Sequence, residues 1–76
     1  MEKKLSEFLP QEGGTVKRVA GDGRVRRRLF DMGVTPGAGL VMRKKAPLGD
    51  PIEINIRGYE LTLRLTEAEC VIAETE

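Results

Sequence analysis

Four of the five residues in Arg24-Val25-Arg26-Arg27-Arg28 are arginines. Clustered cations of this kind can neutralise phosphates, so the stretch is the first candidate for chemistry, as a nucleic-acid contact. Two acidic pairs, Glu67 with Glu69 and Glu74 with Glu76, carry the oxygen ligands that a hard cation takes. A glycine-rich run, Gly33-Val34-Thr35-Pro36-Gly37-Ala38-Gly39, is a third candidate, as a phosphate cradle. Cys70 is the only cysteine, and the chain has no histidine.

Each candidate meets an objection from residue inventory. Without histidine and with one cysteine, a Cys/His metal site, a Ser-His-Asp triad and a Cys-His pair are all excluded. The acidic pairs lack convergent ligands and read as solvated charges near a terminus, so no metal ligand is assigned. The glycine run lacks the Gly-Lys-Ser/Thr ending of a P-loop and follows a helix instead of preceding one. Its glycines serve as a helix stop and a turn, and the chain is not a nucleotide-hydrolysing enzyme. Against nucleic acid stand a pI near 7.9, below the basic footprint of such domains, and only three aromatics, Phe8, Phe30 and Tyr59. Three rings make no base-stacking platform, and they also fail to line a groove for proline-rich peptides. No nucleic-acid partner is expected. No catalytic residue and no cofactor is assigned, and Cys70 is expected to act as a small strand hydrophobe.

Seventy-six residues are expected to form a single domain, 1–76, that buries about 60–65% of its unfolded surface. No apolar run reaches the roughly 18–20 residues that span a bilayer. Met1 to Glu7 lacks the apolar segment of a signal peptide. With one cysteine, these features predict a soluble, cytoplasmic protein. Net charge is +1, unevenly placed: Lys17 to Arg28 carries a balance of +5, and Glu53 onward a balance of −4. Such a dipolar distribution bears on partners more than on fold.

The elements that must position these residues are short. Leu5, Phe8 and Leu9 fall at i, i+3, i+4 of one helical turn stopped by Pro10 and are expected to cap a core. Gly13-Gly14 breaks the chain before a first strand, Thr15 to Ala20. A helix follows, with Asp22 as N-cap and Gly33 as its left-handed stop. Val25, Leu29 and Met32 form its apolar stripe, Phe30 widens the buried face, and Arg27 with Asp31 makes an i, i+4 pair. Thr35-Pro36-Gly37 predicts a type II turn, and Leu40 to Lys44 a second strand. Ile52/Ile54/Ile56 and Leu61/Leu63/Leu65 alternate with polar residues about Gly58, the pattern of a hairpin with six inward side chains. Thr66 caps one more helical turn, and Cys70 to Ala73 is the last strand. The sum is mainly β: a five-stranded SH3-like barrel with one α-helix inserted between strands 1 and 2, curled to enclose the hairpin's apolar face.

Between the second and third strands lies Lys45-Ala46-Pro47-Leu48-Gly49-Asp50-Pro51, turn chemistry with a leucine at its tip. Pro47 and Pro51 restrict the backbone, and Gly49 permits a positive φ that lifts the tip outward. Leu48 is therefore expected to be exposed.

Three stretches in series carry a resemblance: Leu29-Phe30-Asp31-Met32-Gly33-Val34-Thr35-Pro36-Gly37, Ala46-Pro47-Leu48-Gly49-Asp50-Pro51-Ile52 and Arg57-Gly58-Tyr59-Glu60-Leu61-Thr62-Leu63-Arg64. With Leu5-Ser6-Glu7 and Glu67-Ala68, the chain resembles the ferrous iron transport protein A family, FeoA, over nearly its whole length. The resemblance implies a cytoplasmic, SH3-like accessory protein of iron uptake whose partner is the FeoB membrane transporter, which carries a GTP-binding domain. The chain would meet the membrane through that partner only. The family's link to transition-metal binding would also run through the partner, because no ligand set is visible here. A similar domain closes iron-dependent repressors, but this chain has no residues for their winged helix. On this reading Pro47, Leu48, Gly49 and Asp50 contact the partner, with Arg24, Arg27 and Arg28 as an electrostatic rim. The alternative is a small-barrel nucleic-acid-binding protein using its arginine helix, or a stand-alone relative of the repressors' C-terminal domain.

Overall fold

The computed structural model describes residues 1–76. Its elements run β1 (Glu2–Lys4), a 3₁₀ turn (Leu5–Glu7), β2 (Gly13–Val19), α1 (Gly23–Asp31), β3 (Gly39–Lys45), β4 (Ile52–Ile56), β5 (Tyr59–Leu63), α2 (Leu65–Ala68) and β6 (Val71–Thr75). One antiparallel sheet contains all six strands, in the order β1-β6-β2-β3-β4-β5. Register shifts in β2 between Val16 and Arg18, and in β3 between Met42 and Lys44, are bulges that bend the two longest strands. The sheet curls around Leu5, Phe8, Val16, Leu29, Val34, Met42, Ile52, Ile54, Ile56, Leu63 and Val71, and no charged or polar side chain is buried among them.

The sheet has one strand more than the sequence predicts. Glu2, Lys3 and Lys4 pair with Glu74, Ala73 and Ile72, so α1 follows the second strand. A Glu-Lys-Lys segment carries no period-2 apolar signal. It is held by ladder hydrogen bonds and by ion pairs: the Met1 ammonium with Glu74, Arg18 with Glu2 at 3.1 Å and Lys3 with Glu12 at 2.9 Å. The Gly13-Gly14 break also falls inside a strand. A Cβ on Gly14 would lie 2.4 Å from the Glu74 carbonyl oxygen and 3.0 Å from the Phe8 ring, so glycine here permits close packing of β2, β6 and the 3₁₀ turn.

The hairpin forms as predicted. Ile56 opposes Tyr59 across Arg57-Gly58, both at positive φ (51° and 88°), the two-residue turn that matches strand twist. Its inward set is smaller than expected. Ile52, Ile54, Ile56 and Leu63 are fully buried, Leu61 is half-buried, and Leu65 has left the strand to begin α2. The cap of α2 is accordingly Arg64, two residues before the predicted Thr66.

Helix α1 starts as predicted, with Asp22 Oδ1 accepting from the Val25 N–H at 3.0 Å, and ends at Gly33 with φ 90°. Of its stripe only Leu29 is fully buried, Val25 and Met32 being half-buried. Phe30, expected on the buried face, is 39% exposed, and the Arg26 guanidinium stands 5.8 Å from its ring centre. The pair of Arg27 with Asp31 does not form. Leu5 and Phe8 cap the core as predicted, whereas Leu9 is exposed.

Candidate functional site

The 45–51 loop is fixed at its base and bare at its tip. The Ala46 N–H donates to the Pro51 carbonyl at 3.0 Å, and the Gly49 N–H to the Ala46 carbonyl at 2.7 Å, with Gly49 at φ 82°. Asp50 Oδ1 accepts the Leu65 N–H at 2.9 Å, tying the loop to the first turn of α2. Lys45 Nζ donates to the Ser6 carbonyl at 2.9 Å. Above these ties Pro47 is exposed and Leu48 is 94% exposed. A glycine's freedom at position 49 and an aspartate acceptor at position 50 thus hold an apolar side chain in water.

Helix α1 supplies the arginines. Arg28 Nε sits 2.8 Å from Glu67 Oε2, while Glu67 Oε1 accepts the Arg64 N–H at 2.9 Å. Arg28, Asp50, Pro51, Thr62, Leu63, Arg64 and Glu67 line one cleft of about 360 Å³. The structure therefore brings Arg28 and Asp50 of the sequence-predicted set together. Arg24 and Arg27 are exposed on the helix outside that cleft, without carboxylate partners.

Arg64, Glu67 and Thr62 are members of the cleft that sequence reasoning missed. No local signal marked them, because the Glu67 carboxylate caps the Arg64 N–H from the third position of α2 while the residue at the cap is an arginine, not a serine or threonine. A second set secures α1 from behind. Arg57 Nε donates to the Gly33 carbonyl at 3.1 Å, its terminal nitrogen donates to Thr35 Oγ1 at 2.5 Å, and the Tyr59 hydroxyl donates to the Met32 carbonyl. The hairpin turn thereby satisfies carbonyls that the end of a helix leaves unpaired.

The other candidates resolve structurally. Gly33 to Gly39 comprises the helix stop and a turn in which the Ala38 N–H donates to the Thr35 carbonyl at 3.0 Å, with Gly37 at φ 93°. No three His, Cys, Asp or Glu residues gather in a metal-holding group. Cys70 is half-buried, its Sγ 3.5 Å from the Thr66 carbonyl oxygen. Two carboxyls titrate below the usual range, and neither lines the cleft. Glu12 is lowered by the Leu9 N–H and then by Lys3, and Glu74 by the N-terminal ammonium. No helix is long and apolar enough to cross a membrane.

The family described as FeoA domain matches residues 3–75. The chain belongs to the FeoA family. A solved FeoA protein of Chlorobium tepidum is 45% identical, with a TM-score of 0.88 over 96% of this chain and 70% of that one. The zinc complex of Stenotrophomonas maltophilia FeoA is 26% identical, with a TM-score of 0.82 over 95% of this chain and 89% of that one. That protein is described as a prokaryotic SH3 domain protein possibly acting as a ferrous iron transport activating factor. The FeoA fold here is accordingly SH3-like and mainly β. A Porphyromonas gingivalis fusion of Fe(2+) transport protein A with the Fe(2+) transporter FeoB is 32% identical over 71 residues, which are 93% of this chain and 8% of the fusion.

Proposed function

We propose that this FeoA domain, acting as one unit over residues 1–76, is a cytoplasmic accessory module of ferrous iron uptake. It binds the cytoplasmic part of a FeoB-type transporter and performs no catalysis. The observation that carries this reading is the fusion of the two proteins in Porphyromonas gingivalis. When an accessory domain and a transporter share a chain, their association is intramolecular and their effective concentration high. The geometry supports the same reading: Leu48 is an apolar side chain held outward on a braced loop, and Arg24, Arg27 and Arg28 form a charged rim suited to steering.

The domain has 4578 Å² of accessible surface, so a standard contact of about 800 Å² occupies about a sixth of it. Burying Leu48 in that contact contributes about 1.5–3 kcal/mol. The test is titration calorimetry of the purified domain against the isolated cytoplasmic portion of a FeoB-type transporter. Saturable binding is expected, and its absence with and without guanine nucleotide sinks the reading. A gel-shift series addresses the alternative, because a nucleic-acid binder loses affinity log-linearly with salt.

A further inference from the structure

Strand β5 ends the sheet, with β4 on one side and no strand on the other. Its hairpin register decides which backbone groups are free. Ile56 opposes Tyr59 across a two-residue turn, so the 56/59, 54/61 and 52/63 pairs exchange hydrogen bonds. Glu60 and Thr62 therefore direct their N–H and C=O groups away from the sheet. The next N–H along that row, Arg64, is already taken by the Glu67 carboxylate. The same carboxylate is gripped by Arg28 at 2.8 Å, so the edge already holds one carboxylate between a backbone N–H and a guanidinium.

On the edge itself the Glu60 carboxylate is paired with Arg43 at 3.5 Å, and beyond that pair the charge is unbalanced in one direction. Both carboxylates of the cleft are engaged, Asp50 by the Leu65 N–H and Glu67 by Arg28 and the Arg64 N–H. The Arg64 guanidinium has no partner, Arg28 uses only Nε, and both side chains are exposed. Arg24 and Arg27 on α1 add further unpaired positive charge.

We infer that the β5 edge is a strand-addition site for an extended acidic segment of a partner protein, which pairs with Glu60 and Thr62 and seats a carboxylate between Arg28 and Arg64. Main-chain bonds give such a contact its affinity, and the flanking guanidinium groups select for acidic side chains. The inference deepens the proposed function by naming the partner's chemistry, and its test needs no transporter.

The probe is a short blocked peptide alternating glutamate and valine, titrated into ¹⁵N-labelled domain, with a lysine-for-glutamate peptide as control. Expected are shifts at Glu60, Thr62 and the Arg28 and Arg64 Nε signals, with slowed amide exchange at Glu60 and Thr62. Arg64→Glu should weaken binding about tenfold. Thr62→Pro, tolerated on an edge whose N–H faces water, should remove binding while the remaining spectrum stays folded. Equal binding of the lysine peptide overturns the inference, as do shifts confined to Arg24–Arg27 or Leu48. Displacement of the peptide by a single-stranded oligonucleotide at the same amides also overturns it, assigning the arginines to phosphate. If the transporter portion binds wild type, Arg64→Glu and Thr62→Pro equally well, this inference falls and the proposed function stands. If the acidic peptide binds at the edge and the transporter does not bind at all, the reverse holds.

Discussion

Helix α1 and the 45–51 loop flank the same cleft, but opposite means secure them. The helix is pinned from inside by the fully buried Leu29, and from outside by the Asp22 cap, the Arg28–Glu67 pair and the clasp from Arg57 and Tyr59. The loop buries nothing at its tip. Its shape comes from two internal backbone hydrogen bonds and from Asp50 gripping the Leu65 N–H. Leu29 and Leu48 are the same residue type, one contributing stability and the other left in water. A small domain can therefore present an apolar side chain at a fixed place if it spends backbone and carboxylate hydrogen bonds on the loop's base, leaving the core to hold the scaffold.

The comparison breaks first at Leu29. Leu29→Ala should destabilise the domain by about 2–5 kcal/mol, read as a drop in thermal midpoint of about 10 °C or more. A loss under about 1 kcal/mol would show that the helix does not depend on its one buried residue. The matching change at the other leucine, Leu48→Asp, should weaken transporter binding at least tenfold. Its effect on stability should stay within about 0.5 kcal/mol, as for other exposed positions. A large fall in melting temperature there would mean that the leucine packs inward in solution.

The two carboxylates that brace these regions sharpen the contrast. Asp22→Ala removes a helix cap and should cost about 1 kcal/mol. Asp50→Ala should cost a similar amount for the lost Leu65 bond, but its amide exchange should quicken at Ala46, Gly49 and Leu65 and not along α1. Faster exchange throughout α1 would show that the two regions are not independent.

The smallest effect lies in neither region and serves as a control. Glu12 and Glu74 titrate below their ordinary value of 4.5 in the folded state. Their stabilisation is present above that value and is lost as pH falls through the lower folded values. Glu12→Gln and Glu74→Gln should thus lower stability slightly at neutral pH and flatten its decline toward acid, approaching wild type below the folded values, and Leu48→Asp should leave the acid limb's shape alone.

What could be read from the chain follows from how local each signal is. The hairpin was legible because three isoleucines alternate with polar residues and Gly58 marks the turn. The frame of α1 was legible because Asp22 and Gly33 act on their own neighbours. β1 was not, since Glu2, Lys3 and Lys4 become a strand only through β6. The inward place given to Leu65 failed for a related reason: Asp50, fifteen residues earlier, draws its N–H into the start of α2. The cleft was half legible. Arg28 and Asp50 were singled out by type, but Thr62, Arg64 and Glu67 join them only through the curl of the sheet.

The pairing of β1 with β6 also decides where the chain can be cut and rejoined. The Thr75 N–H donates to the Met1 carbonyl at 3.0 Å, so the first and last residues are neighbours in space. A short glycine-serine bridge from Glu76 to Met1 would close the polypeptide into a ring without moving a strand. New ends could then be opened at an exposed turn such as Pro36-Gly37. Topologically the domain is a loop with a replaceable seam, and a larger protein attached at either end would hold it by a single stalk.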